Sequence, residues 1–154
     1  RLLDDDGAML IRYEGDAKGV LTASQIAVGE ENALKIRIYG TKGGLEWCQE
    51  EPNTMWMKWP DRPREMIRTS NGYMSEMAAH NSRTPGGHPE GYIEAFANIY
   101  RNFALTLQAM KEGKEPSSLC LDFPSVQEGV RGMQFIETVV ASSNSDKKWV
   151  KMVD

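Results

Sequence analysis

The hydrophobic period changes once along this chain, and that change limits the folds open to it. Through the first half, apolar residues recur at every second position, the spacing of half-buried strands. Met9, Ile11 and Tyr13 share one face, as do Val20, Thr22, Ser24, Ile26 and Val28, with Leu21, Ala23 and Gln25 opposite. Leu34, Ile36 and Ile38 continue the pattern, with Lys35 and Arg37 turned outward. Further strands are expected over 44–49 and 54–59, with a weaker one over 64–69, and prolines at 52, 60 and 63 punctuate them. The turn compositions at 14–17 (EGDA) and 40–44 (GTKGG) join neighbours as antiparallel hairpins.

From Asn71 to His88 no period survives, so the stretch is expected to be a long loop. Beyond it the spacing becomes helical. Ile93, Phe96, Ala97, Tyr100, Phe103, Ala104 and Leu107 form a wide apolar stripe. Pro89 suits the first position of that helix, and Glu90 complements its positive end. The KEGKEP stretch at 111–116 ends it. A second helix starts at a cap on Asp122 or Ser125, with Ser125 and Glu128 spaced as a capping box. Its expected inner face is Val126, Val130, Met133, Ile136 and Val140, and WVKMV at 149–153 reads as a closing strand. Strands first and helices second specify an α+β fold. The expected architecture is a mostly antiparallel, open-faced sheet of about six or seven strands with two main helices on one face. The other face, with Trp56 opposed to Met55, Met57 and Trp59, either closes into the core or meets another chain or domain.

Size and charge narrow the function. The chain has 154 residues, enough for one domain with its own core, and a net charge of −4. Such a balance gives no electrostatic footprint for nucleic acid, and no apolar run approaches membrane-spanning length. Cys48 and Cys120 lie far apart without metal-ligand spacing, which fits a reducing, cytoplasmic setting. The opening on Arg1 rather than methionine, directly before a strand pattern, points to a piece of a longer protein.

The motifs carry little chemistry of their own. The GTKGG stretch runs into a strand rather than a helix, so it reads as a hairpin turn and not a phosphate cradle. Glu76 and His80 have the i, i+4 spacing of a ligand pair but lack further ligands, and read as solvated loop residues. His88 sits in RTPGGHPEGY, ahead of the helix, where it either caps the helix or contacts a polar ligand with Arg83 and Tyr92 nearby.

Three stretches taken in order, ALKIRIYGTKGGLEW, GGHPEGYIEAFANIY and FPSVQEGVRGMQFIETVVASS, resemble the C-terminal domain of the glucose–fructose oxidoreductase / inositol dehydrogenase (Gfo/Idh/MocA) family. The resemblance covers nearly the whole chain. It implies a C-terminal domain like that of glyceraldehyde-3-phosphate dehydrogenase, spanning 1–154 and following an N-terminal Rossmann domain that lies outside the chain. It also implies NAD(P)-dependent chemistry on a sugar, cyclitol or related polyol, with homo-oligomers built through the open sheet face. The family's catalytic lysine, in a Glu-Lys-Pro motif, and its Asp-x-x-x-His motif belong to the part before Arg1. Lys114, Glu115 and Pro116 carry the first motif's residue types in another order and place. No catalytic, cofactor-binding or metal-binding residue is therefore expected in this chain. His88, Arg83 and Tyr92 are the candidate substrate contacts, and the chain alone is expected to be inactive. The alternative is a non-catalytic module for sheet-mediated assembly or ligand binding.

Overall fold

The computed structural model describes residues 4–152. It is α+β with antiparallel sheets, and its six strands fall into two sheets, not one. Strands β1 (Asp6–Arg12) and β2 (Lys18–Ser24) form a hairpin in which Asp6 faces Ser24 and Arg12 faces Lys18. Strands β3 (Lys35–Tyr39), β4 (Gly44–Cys48), β5 (Thr54–Lys58) and β6 (Glu65–Arg68) form a four-stranded meander in sequence order. Strand β2 stops at Ser24, short of Ile26 and Val28, because the chain turns there and the Glu30 N–H donates to the Ala27 carbonyl at 3.2 Å. The helices are α1 (Glu76–His80), α2 (Tyr92–Lys111) and α3 (Val126–Ser143).

Two compact units result, residues 1–31 with 125–154 and residues 32–124. In the first unit β1 alternates as its sequence dictates, with Met9 and Ile11 less exposed than Leu10. Helix α3 starts as its capping box requires: the Ser125 Oγ accepts from Glu128 N–H at 3.2 Å, and the Glu128 carboxylate accepts from Ser125 N–H at 2.7 Å. Its expected inner face is not covered. Val126, Val130, Met133, Ile136 and Val140 are all exposed, and the half-buried positions are Gln134, Phe135, Thr138, Val139 and Ser142. The closing strand is absent over 149–152, and Val153 lies outside the described residues. Trp149 lies instead with its ring 4.0 Å from the Arg12 guanidinium, a cation–π contact that needs no strand ladder.

In the second unit, the register sorts the sheet into two unlike faces. Ile36, Ile38, Leu45, Trp47, Met55, Met57 and Ile67 share one face, with Glu65 as its one charged member. Lys35, Arg37, Glu46, Trp56, Lys58 and Arg68 share the other. Glu46 is ion-paired to Lys58 and reaches Arg37 at 4.0 Å, and the Lys58 hydrogen bond holds its carboxyl below the usual range. Trp56 lies beneath the Arg64 guanidinium at 4.1 Å, so this aromatic side chain is spent on a cation from the turn just before β6.

Helix α2 inverts the expectation drawn from its apolar stripe. Among the described residues no apolar side chain is fully buried, and the buried positions are Asn98 (9% exposed), Asn102 (0%) and Thr106 (7%). These recur every fourth residue and so lie on one face of α2. The stripe residues Ile93 (78% exposed) and Tyr100 (70%) stand in the open.

Candidate functional site

The stretch 71–88 holds more structure than its lack of period suggests. Ser75 caps α1, its Oγ accepting from Ala78 N–H at 3.3 Å, and His80 closes the helix. His80 is half-buried rather than solvated: its Nε2 lies 3.0 Å from the Asn102 Oδ1. That oxygen only accepts, so Nε2 carries the ring proton. The Arg101 guanidinium, also near Nε2, therefore donates to the His80 carbonyl instead, at 3.0 Å. Asn102 Nδ2 in turn donates to Asn81 Oδ1 at 3.0 Å and Asn81 Nδ2 to Asp122 Oδ2 at 2.9 Å. Thr106 donates to the Cys120 carbonyl at 2.9 Å. This polar ladder docks α1 and the segment 118–122 against α2. One buried acceptor along it, Asn98 Oδ1, has no partner among the described residues.

The loop 83–90 is fixed from two sides. Glu90 turns its carboxylate back along the loop, where Oε1 accepts from Arg83 N–H at 2.6 Å, from Thr84 N–H, and from the Thr84 hydroxyl at 2.9 Å. Burial pushes the Glu90 carboxyl up, but those hydrogen bonds outweigh it and hold the group below its ordinary value. Asn53, just before β5, then pins the same residue to the sheet. Its Nδ2 donates to the Glu90 carbonyl at 2.7 Å and its Oδ1 accepts from Glu90 N–H at 2.9 Å. With its backbone so committed, Glu90 cannot join the helix, which explains why α2 begins at Tyr92 rather than at Pro89. Glu94 serves the helix start instead, accepting from Gly91 N–H at 2.8 Å.

Two glycines let this loop approach the end of β6. A Cβ on Gly86 would stand 3.1 Å from the Ser70 carbonyl oxygen, and Gly87 has a φ of +90°. The approach leaves a cleft of about 200 Å³ between sheet and loop. Glu51, Asn53, Thr54, Arg68 and Thr69 line it from the sheet side, and Gly87, His88 and Pro89 from the loop. Thr54 and Arg68 are direct cross-strand partners and so share a face at this end of the sheet.

Of the three residues singled out from sequence, His88 lines the cleft. Its Nδ1 lies 3.2 Å from the Pro85 carbonyl, an acceptor that holds a ring proton there. Arg83 opens the loop and Tyr92 starts α2 beyond it, and neither lines the cleft; the Tyr92 ring lies 4.7 Å from that of Phe96. The sequence reads Glu51, beside Glu50, only as a solvated turn residue and gives no signal at Arg68, Thr54 or Thr69, because only strand pairing brings them to His88. No three His, Cys, Asp or Glu side chains gather as a metal site among the described residues. No described helix is long and apolar enough to cross a membrane.

Comparison with known proteins places this geometry in context. Residues 1–152 match the family described as "Oxidoreductase family, C-terminal alpha/beta domain". An uncharacterized oxidoreductase, YfiI of Bacillus subtilis (strain 168), is 31% identical over 149 residues, which are 97% of this chain and 38% of that protein. The crystal structure of an oxidoreductase from Sinorhizobium meliloti superposes with a TM-score of 0.90 at 41% identity, covering 98% of this chain and 42% of the other. An inositol dehydrogenase homolog from Azotobacter vinelandii, complexed with NADH and myo-inositol, gives a TM-score of 0.88 at 32% identity, covering 97% and 40%. The chain thus spans about two fifths of the length of these relatives.

Proposed function

The chain belongs to the Gfo/Idh/MocA oxidoreductase family as its C-terminal alpha/beta domain, and from that premise we propose that it is the substrate-binding half of a nicotinamide-dependent dehydrogenase acting on a sugar, cyclitol or related polyol. The observation that carries the reading is the loop 83–90, which Asn53 and Glu90 pin while it presents His88 to a cleft at the sheet end. In the parent enzyme, NAD or NADP occupies an N-terminal Rossmann domain and supplies the hydride chemistry. This chain supplies position: His88 hydrogen-bonds a substrate hydroxyl, while Arg83 and Tyr92 border the approach to it. A polyol held at several hydroxyls has its reacting carbon placed, and fixed geometry is worth several orders of magnitude in rate. The 154 residues alone then bind no dinucleotide and turn over no substrate. Subunits associate through a sheet face, for which the face of Ile36, Ile38, Leu45, Trp47, Met55, Met57 and Ile67, with Glu65 at its edge, is the better suited because the opposite face carries Lys35, Arg37, Glu46, Lys58 and Arg68. The enzyme works in the cytoplasm.

The test is NAD(P)H formation by the intact parent protein with a panel of sugars and cyclitols, followed by His88→Ala. The reading expects a polyol-dependent signal and, in the variant, a raised KM. A parent that reduces neither cofactor with any member would overturn it, as would an unchanged kcat/KM in His88→Ala for the role of that residue.

A further inference from the structure

The turn between β4 and β5 is fixed at its middle by a side chain of the apolar sheet face. Trp47, half-buried and cross-strand from Ile36 and Met55, donates its indole N–H to the Pro52 carbonyl at 3.1 Å. The backbone closes the same turn, with Glu51 N–H donating to the Cys48 carbonyl at 3.1 Å and Thr54 N–H to the Glu51 carbonyl at 3.2 Å. Next in sequence stands Asn53, whose side-chain amide does for Glu90 what a neighbouring strand would. Its Nδ2 donates to the Glu90 carbonyl at 2.7 Å and its Oδ1 accepts from the Glu90 N–H at 2.9 Å. Thr69 sets which way that amide faces, because its hydroxyl donates to Oδ1 at 3.2 Å and its N–H to the Asn53 carbonyl at 3.1 Å.

We propose that Trp47 is a positioning residue for His88, acting through Pro52 and Asn53 on the loop 83–90. The Pro52 carbonyl and the Asn53 Cα lie in one rigid peptide plane, so the indole N–H fixes the point from which the Asn53 side chain reaches. Asn53 then fixes Glu90 at both backbone groups. His88 stands two residues before Glu90 in a loop closed on itself: its N–H donates to the Pro85 carbonyl at 3.1 Å, and its carbonyl lies 3.0 Å from the Thr84 hydroxyl. The loop therefore has little freedom to shift without Glu90. Packing of the Trp47 ring is separable from this role, because Trp47→Phe keeps most of the ring and deletes the donor. A reacting group misplaced by about 1 Å can lose about a hundredfold in rate, so a contact this remote from the substrate still matters. The inference rests on the dehydrogenase reading above, which makes His88 the substrate contact.

The experiment uses the intact parent protein, with hydrogen exchange followed by mass spectrometry and kinetics followed on the panel member that gives the fastest NAD(P)H formation. In Trp47→Phe and in Asn53→Ala the peptide covering 83–90 should exchange at least about tenfold faster. Helix α1 (Glu76–His80), held by Asn102 instead, should exchange as in the wild type. KM should rise about fivefold in Trp47→Phe and about tenfold in Asn53→Ala, with kcat within about twofold. Combined with His88→Ala, either substitution should add less than about twofold, since a residue that acts through the imidazole has nothing left to act on. A merely structural role predicts the reverse, with faster exchange in α1 as well and a full further loss on the His88→Ala background. Either of those results, or wild-type loop exchange in Trp47→Phe, overturns the proposal. A wild-type KM in Trp47→Phe, on a parent that oxidises a panel member, removes Trp47 and leaves the dehydrogenase reading standing. A parent that reduces neither cofactor with any member removes both.

Discussion

Replacing Asn102 with alanine tests which face of α2 holds the second unit together. The side chain is fully buried and makes two full hydrogen bonds at 3.0 Å, with His80 Nε2 and Asn81 Oδ1, and a long one to the Asp122 carbonyl at 3.4 Å. The long contact counts for little. Each of the other two contributes about 1–1.5 kcal/mol, and the stranded partners add a desolvation cost, so the loss should be about 2–4 kcal/mol. In a chain of this size that lowers Tm by about 5–12 °C. The control is Tyr100→Ala, two residues away in sequence but on the exposed stripe, which should change stability by no more than about 0.5 kcal/mol. Urea unfolding of the 154-residue chain, followed by circular dichroism at constant m, reads both. The opposite architecture, with the apolar stripe inside, demands the reverse ranking: about 3–5 kcal/mol for Tyr100→Ala and little for Asn102→Ala. A loss below about 1 kcal/mol for Asn102→Ala would refute the ladder as the element that fixes α2.

Gly43→Ala should cost about 1–3 kcal/mol, because its Cβ would lie 2.7 Å from the Lys58 carbonyl oxygen, whereas Gly72→Ala, with nothing within 4 Å, should be neutral or stabilising; thermal melts compare them. The hydrogen bonds to Glu90 should unlock the loop on acidification. A depressed carboxyl stabilises the folded loop above its unfolded value, ordinarily 4.5, and that contribution disappears as pH falls through the lower folded value. The Thr84 amide resonance should therefore titrate with a midpoint below 4.5, and a midpoint above it would contradict the assignment. Ser125→Ala should destabilise α3 by about 1 kcal/mol and Ser125→Asp by little, measured by helical ellipticity against urea.

What sequence revealed here was local. The strands over 44–48, 54–58 and 65–68 follow from period two between prolines, and the 40–44 turn follows from glycines that approach backbone. The Ser125 cap needs only its own next three residues. What escaped was non-local or too short. Helix α1 has five residues, below the length at which a period declares itself, although Ser75 is a readable cap. The His80–Asn102 contact joins residues 22 apart, and the Asn53–Glu90 clamp joins residues 37 apart. One signal was available and unused: Asn98, Asn102 and Thr106 are poor helix formers spaced by four inside a long helix, a pattern that points to polar docking. Apolar periodicity in turn shows that a stripe calls for cover and not what supplies it, which is why the stripes on α2 and α3 were expected inside and stand outside.

The polar ladder also sets a position along an axis. A greasy seam tolerates sliding, since one methyl group replaces another, but Asn98 meets the Asn81 carbonyl, Asn102 the Asn81 side chain and Thr106 the Cys120 carbonyl, each at a fixed height. Displacing α2 by one turn would present every donor to the wrong neighbour, so the helix behaves as an indexed rod with a single permitted setting. The loop 83–90 hangs from one end of that rod and is bolted to the sheet through Asn53. His88 therefore belongs to a triangulated frame, and a substitution at Thr106, far along α2, should register as a shift in where the imidazole sits.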